Sequence, residues 1–179
     1  MTTDRNGIKG TVYINLYYEN GVLKDHREIH NLITSAGDLY YATRAGAAVV
    51  DADGGAPVVT DATKVNGMKL GVGITVPAKS GAGAALVNYL TVSQQPFAAT
   101  YPTVTAVGGD AGYNLTYYGI WAPTVATNTA LTEAVIVNDA GVNATTSEAN
   151  TIARVTFTAI NKQAGDTLEI SWVHKFLGA

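Results

Sequence analysis

The chain has 179 residues, of which 47% are hydrophobic and 14% are charged, with a formal net charge of −3 at pH 7 and no cysteine. This length suits one domain with a buried core, and the lack of cysteine excludes disulfides, thiolate chemistry and Cys-ligated zinc. The 11 Lys and Arg residues are scattered among 14 Asp and Glu residues, so we expect no direct nucleic-acid partner. No apolar stretch approaches the roughly 20 residues that cross a bilayer, so we expect no membrane partner.

The first structural signal is a pair of alternating segments on either side of Asn20-Gly21. Hydrophobic residues alternate with polar or tyrosine residues over 12–18, a period of two that is typical of a half-buried strand. The Asn-Gly dipeptide accepts positive φ at both central positions of a type I′ turn. We therefore predict a hairpin of about 8–18 and 22–30, closed by that turn.

A short helix is predicted next. Ser35 is suited to cap a helix N-terminus, and the carboxylate of Asp38 falls in its first turn, where it is favourable to the helix dipole. The helix is expected over about 36–45. It is followed by a loop of about 45–65 that is rich in Gly, Asp and Ala, and a loop of that length is usually functional or ordered by a neighbour.

Alternation with period two returns over 68–76 and predicts a half-buried strand. Gly71 and Gly73 lie on its outer face, where another backbone or subunit can approach closely. A second loop of small residues covers 77–85, and 86–90 is compatible with a strand or a helical turn.

The remaining strands follow at short intervals. They are predicted at 103–107, 113–122 and 131–138, with a closing pair at about 153–159 and 168–176. About eight strands, one short helix and no βαβ spacing predict an all-β fold, an antiparallel β-sandwich or jelly roll. We expect a single domain over residues 1–179, with an N-terminal arm of 1–7.

The polar residues form no catalytic or metal-binding pattern. His26 and His30 are four residues apart, which on a strand separates them by roughly 13 Å, too far to share a metal. His174 is expected to be a satisfied, semi-buried histidine or an interface contact. Glu133 and Glu169 are single acids in apolar strands, expected to form ion pairs or face outward. We therefore predict no enzyme, no catalytic residue, no metal site and no cofactor; a hydrolase with facing carboxylates is the alternative.

Aromatic residues concentrate in two predicted strands. Tyr113, Tyr117, Tyr118 and Trp121 fall in one of them, and further tyrosines fall in the first hairpin. Such rings can stack on sugars, fill a sandwich core or anchor a subunit interface. The core and the interface are the favoured interpretations.

Three short motifs resemble a known group of proteins. They are an Asn-Leu-hydrophobic-Thr-x-x-Gly element at 31–37, a Leu-Gly-x-Gly element at 70–73 and a Gly-Asp-Thr-Leu element that opens the terminal strand at 165–172. Their order is similar to that in capsid decoration (cement) proteins of tailed bacteriophages and in related jelly-roll tail-fibre-type virion proteins.

The resemblance implies a structural protein that binds the assembled phage head and stabilises contacts between major capsid subunits. It further implies a homo-oligomer (dimer or trimer) on the capsid exterior, assembled in the bacterial cytoplasm. The alternative is a tail-fibre or receptor-binding module that recognises a host glycan. The arm and the loops at 45–65 and 77–85 are the expected contact segments. The side chains predicted to contact the capsid or another copy are Thr2, Arg5, Asn6, Val49, Val50, Val58, Val59, Tyr117, Tyr118 and Trp121.

Overall fold

Nine antiparallel strands and one α-helix form the fold within residues 8–46, 64–108 and 112–176, the part of the chain that a computed structural model describes. The elements are β1 (Lys9–Tyr17), β2 (Leu23–Ile33), α1 (Ser35–Gly46), β3 (Gly67–Gly71), β4 (Gln95–Pro96), β5 (Thr103–Ala106), β6 (Tyr113–Trp121), β7 (Asn128–Val137), β8 (Thr151–Lys162) and β9 (Thr167–Phe176). Short 3-10 turns occur at Gly81–Ala84 and Glu148–Asn150. The helix in this part of the chain is too short to span a membrane.

The strands follow the order β4-β3-β7-β8-β2-β1-β9-β6-β5 in one curled sheet. β2 connects the two halves of this sheet, because it pairs with β1 along most of its length and with β8 only at Leu32 and Ile33. The first half (β2, β1, β9, β6, β5) and the second half (β8, β7, β3, β4) enclose the core between them. This confirms the predicted all-β antiparallel sandwich, and the two-residue β4 accounts for the additional strand.

Alternation along the first half builds one wall of the core. Val12, Ile14 and Leu16 of β1 are buried, and Val12 and Ile14 lie opposite Trp172 and Ile170 of β9. The burial pattern follows the predicted period of two, because every second side chain of a strand points to the same face of the sheet. The strands predicted at 103–107, 113–122, 131–138, 153–159 and 168–176 are confirmed as β5 to β9, with β7 and β8 longer than expected.

The hairpin is confirmed, but the predicted type I′ turn is wrong. Gly21 has a φ of +79°, whereas Asn20 is not among the residues with positive φ. The amide of Gly21 donates to the carbonyl of Tyr18 at 2.9 Å, and the amide of Tyr18 donates to the carbonyl of Val22 at 2.9 Å. This is a type I turn followed by a glycine bulge, the other common way to close a short hairpin.

Thr34, and not Ser35, caps α1. The hydroxyl of Thr34 accepts a hydrogen bond from the amide of Gly37 at 3.0 Å and donates to the carbonyl of Thr151 in β8, and Ser35 is the first helical residue. A Cβ at Gly37 would lie 2.1 Å from the carbonyl oxygen of Ile152. The cap thus fixes the helix against β8 as well as starting it.

β3 is shorter than predicted because its neighbours change after Gly71. Beyond that residue the chain leaves the sheet and folds over its outer face as residues 72–92, here called the covering loop. The amide of Val72 donates to the carbonyl of Asn88 at 2.8 Å, and the amide of Leu90 donates to the carbonyl of Leu70 at 3.0 Å. The close backbone approach expected at the glycines is thus present, and the same chain supplies it.

We predict that Trp172→Ala lowers the free energy of unfolding by about 3–5 kcal/mol, because the ring is fully buried between the sheets and its removal leaves a large cavity. Urea unfolding followed by far-UV circular dichroism measures the change. Tyr113→Ala is the matched control, since the Tyr113 ring is largely exposed. A loss below about 1 kcal/mol for Trp172→Ala would contradict the placement of β9 in the core.

Candidate interaction surface

Most of the predicted contact residues lie outside the described part of the chain. These are Thr2, Arg5 and Asn6 of the arm and Val49, Val50, Val58 and Val59 of the long loop. Their contact role stays a prediction.

The three aromatic candidates divide between the two faces of β6. Tyr117 is 1% exposed and Trp121 is 0% exposed, and both belong to the core. Tyr118 points to the opposite face, half-buried, with its ring 5.1 Å from the ring of Tyr101. The structure therefore corrects the assignment of Tyr117 and Trp121 to a contact surface, because their spacing puts them on the inward face; Tyr118 is the one of the three with exposed surface.

A buried ion pair fixes the covering loop to the second half of the sheet. The side chains of Glu133 in β7 and Arg154 in β8 are both 0% exposed, and Nη2 of Arg154 lies 2.8 Å from Oε2 of Glu133. The carboxylate of Glu133 also accepts hydrogen bonds from three loop amides, those of Gly73 at 2.9 Å, Val87 at 3.2 Å and Asn88 at 2.8 Å. One carboxylate thus binds the beginning and the end of the loop.

The guanidinium of Arg154 holds the middle of the same loop. Its Nη1 donates to the carbonyl of Thr75 at 2.7 Å and to the carbonyl of Gly83 at 3.2 Å, while Nε and Nη2 donate to Glu133. A buried ion pair offsets its desolvation cost only when further hydrogen bonds satisfy both partners. The loop backbone supplies those bonds, so the pair and the covering loop depend on each other. The predicted ion-pair role of Glu133 is confirmed.

A second buried cation fixes the segment that follows β7. Lys69 of β3 is fully buried, with Nζ 3.0 Å from a carboxylate oxygen of Asp139 and 3.0 Å from the carbonyl oxygen of Ala144. The hydroxyl of Tyr89, in the covering loop, donates to Oδ1 of Asn143 at 2.7 Å. The alternation over 68–76 places Lys69 on the same face as Gly71, but no local pattern in the sequence predicts its burial or its pairing with Asp139.

The covering loop exposes branched apolar side chains on this fixed backbone. Ile74 is 81% exposed and Val76 is 78% exposed, and these are the two largest exposures among the large hydrophobic residues described. Val87, near the other end of the same loop, is 40% exposed. Such a group, here called the apolar group, is typical of a protein interaction surface when its backbone is preorganised.

His174 belongs to a structural polar network beneath α1. Its Nδ1 lies 2.5 Å from the hydroxyl of Tyr41, which lies 3.0 Å from the hydroxyl of Tyr117. Burial lowers the pKa of His174 to about 3 and raises the pKa of both tyrosines. The three groups are therefore neutral near pH 7, as expected for a satisfied histidine in the core.

The described residues hold no group of three or more His, Asp or Glu side chains arranged to bind a metal ion. His26 and His30 are exposed on the extended β2, as the sequence predicts, and the Glu133 carboxylate is occupied by Arg154 and the loop amides. Glu169 is half-buried in β9 on the face opposite the core, next to Tyr118.

Comparisons of the chain with protein-family models, with curated proteins and with solved structures found no match.

We predict that Arg154→Met destabilises the fold by about 3–5 kcal/mol, since it leaves the Glu133 carboxylate buried without a counter-charge. Hydrogen exchange at the amides of Gly73, Val87 and Asn88 is expected to accelerate more than exchange in β1 and β9. Arg27→Met is the matched control, because Arg27 pairs with Asp25 at a partly exposed site and such pairs contribute about 1 kcal/mol or less. Equal acceleration throughout the sheet would contradict the local role of the pair.

We predict that His174 makes the protein less stable in acid. The pKa of this histidine is about 6.5 in the unfolded chain and about 3 in the folded chain, so only the unfolded chain gains its proton between these values. The stabilisation by neutral His174 is complete above pH 6.5 and declines below it by about 1.4 kcal/mol per pH unit. Urea unfolding at pH 6 and pH 4.5 measures this decline.

His174→Gln is expected to remove about 2 kcal/mol of that difference between the two pH values. His30→Gln, on the exposed face of β2, is the control and is expected to retain it. An identical pH dependence in wild type and His174→Gln would show that the histidine is not buried neutral.

Proposed function

We propose that this is a structural virion protein, a capsid decoration protein that binds the assembled phage head and stabilises contacts between major capsid subunits. The observation that carries the proposal is the apolar group of Ile74, Val76 and Val87 on a loop held by the buried Glu133–Arg154 pair. Exposed apolar side chains on a fixed backbone suit a protein that acts by binding another protein. In this proposal it acts on the capsid exterior, in a virion assembled in the bacterial cytoplasm.

The preorganised loop makes modest contacts effective. Covering a fully exposed Ile or Val side chain stabilises a complex by about 1.5–3 kcal/mol, and the loop backbone is already ordered, so little conformational entropy is lost on binding. A head presents many equivalent sites, and a homo-oligomer would engage several together. Linked contacts of this kind increase the apparent affinity by about 10²–10⁴.

The sequence motifs support the same proposal. The Leu-Gly-x-Gly motif at 70–73 lies where β3 ends and the covering loop begins, so the resemblance to decoration proteins and the candidate surface involve the same segment. The glycan-binding alternative draws less support, since Tyr117 and Trp121 have almost no exposed surface for stacking on a sugar.

We predict that Val76→Asp, alone or with Ile74→Asp, weakens head binding at least tenfold, because it places a charge where an apolar contact is lost. The assay is co-sedimentation with expanded heads that are assembled from the major capsid protein of the same genome and lack other decoration. Wild type is expected to bind at a fixed stoichiometry per capsomer.

Val104→Asp is the matched control, because Val104 is a valine on β5, in the other half of the sandwich, that is 67% exposed against 78% for Val76. It is expected to bind as wild type does. Absence of binding by folded wild type would contradict the proposed function, and unchanged binding by Val76→Asp would contradict the role of the covering loop.

A further inference from the structure

A cleft opens where β2 and β8 separate. The two strands pair at Leu32 with Arg154 and at Ile33 with Ala153, and no further pair joins them in the described part of the chain. At the far end the Nζ of Lys24 approaches the carbonyl oxygen of Asn161 at 3.4 Å. The strands therefore remain neighbours along their length but are joined only at the ends.

The cleft has a volume of about 440 Å³, within the range of about 300–1,000 Å³ that is typical of ligand sites. Arg27 and Ile29 line the β2 wall, and Thr156, Phe157 and Thr158 line the β8 wall. Ile74 of the covering loop and Thr132 of β7 complete the lining. Successive side chains of a strand point to opposite faces. Three consecutive residues can line one cleft only if the edge of the strand itself faces into it, so the backbone of β8 is accessible there.

This edge of β8 has unused hydrogen-bonding groups. The strand pairs with β7 on one side, where the register shifts between Thr156 and Ile160, and no described strand pairs with residues 156–158 on the other side. Unpaired N–H and C=O groups in a row are a template for the addition of another strand. The β-branched Thr156 and Thr158 favour that extended pairing.

The opposite wall supplies charge specificity. The Nη2 of Arg27 donates to Asp25 at 2.9 Å, and the Arg27 side chain, which is 37% exposed, also lines the cleft. A carboxylate is the group that matches an accessible guanidinium best in geometry and charge. Ile29 and Phe157 line the same cleft and can accept an apolar side chain.

We infer that this cleft binds an extended segment of a partner protein. The segment adds to the free edge of β8 as a strand, places a carboxylate side chain against Arg27 and packs an apolar side chain between Ile29 and Phe157. An added strand that runs antiparallel to β8 runs parallel to β2, because β2 and β8 are antiparallel to each other. The inference does not depend on the partner being a capsid subunit.

A displayed library of random nine-residue peptides, selected on the full chain, provides the probe. We expect the enriched peptides to carry Asp or Glu flanked by β-branched or aromatic residues at alternate positions. A synthetic peptide of the enriched sequence is expected to slow hydrogen exchange in the 155–161 segment of β8. The same peptide with alternate backbone amides N-methylated keeps its side chains, cannot form the ladder and is expected not to bind.

Arg27→Gln is expected to weaken the peptide at least tenfold by fluorescence anisotropy, with an unchanged melting temperature. His30→Gln, on the other face of β2, and Val76→Asp, which does not line the cleft, are matched controls expected to bind normally. Loss of head binding with retained peptide binding in Val76→Asp would separate the role of Val76 in head binding from the role of the cleft. Selection without acidic enrichment, or binding that survives N-methylation, would overturn the inference.

Discussion

The pair of Glu133 and Arg154 is the interaction on which the outer layer of the molecule depends. Both side chains are fully buried on the outward face of the second half of the sheet, where a two-layer sandwich would normally meet solvent. The covering loop resolves this conflict, because its amides and carbonyls complete the hydrogen bonding of both charges. The loop is therefore a third layer with a fixed backbone, and its exposed isoleucine and valines gain a defined position.

Buried lysines fix other connecting segments of the fold. Lys69 connects β3 to the segment after β7, and Lys162 of β8 donates to the carbonyls of Ala122 and Asp166. Each ammonium binds backbone carbonyls, which lie in the loops and not in the ladders. A chain with few charged residues thus uses several of them inside to order its connections, which leaves the surface weakly charged and suited to apolar contacts.

The strands were predictable from the sequence because their burial is one-sided. In β1 and β9 one face meets the core and the other meets solvent, so a period of two appears directly in the residues. The same reasoning was wrong for 72–76, where Ile74 and Val76 continue the alternation but are exposed. The loop at 77–85 was expected to make contacts, but the exposed Ile74 and Val76 and the ion pair beneath the loop were not predicted, since the pairing of Glu133 with Arg154 joins different strands and no local pattern encodes it. The capping hydroxyl was placed one residue late because both Thr34 and Ser35 can cap.

The shared strand β2 has a kinetic consequence. The two halves of the sandwich are hydrogen-bonded to each other through the contact of Leu32 and Ile33 with Arg154 and Ala153, residues that are more than 100 positions apart in the chain. Closing so long a loop is entropically unfavourable before its contacts form, and topologies rich in such pairings fold in about milliseconds to seconds. The first half cannot complete its ladder until β9 has been synthesised, and the second half cannot do so until β8 has been. The strands synthesised earlier therefore remain without these partners until residues 151–176 have emerged.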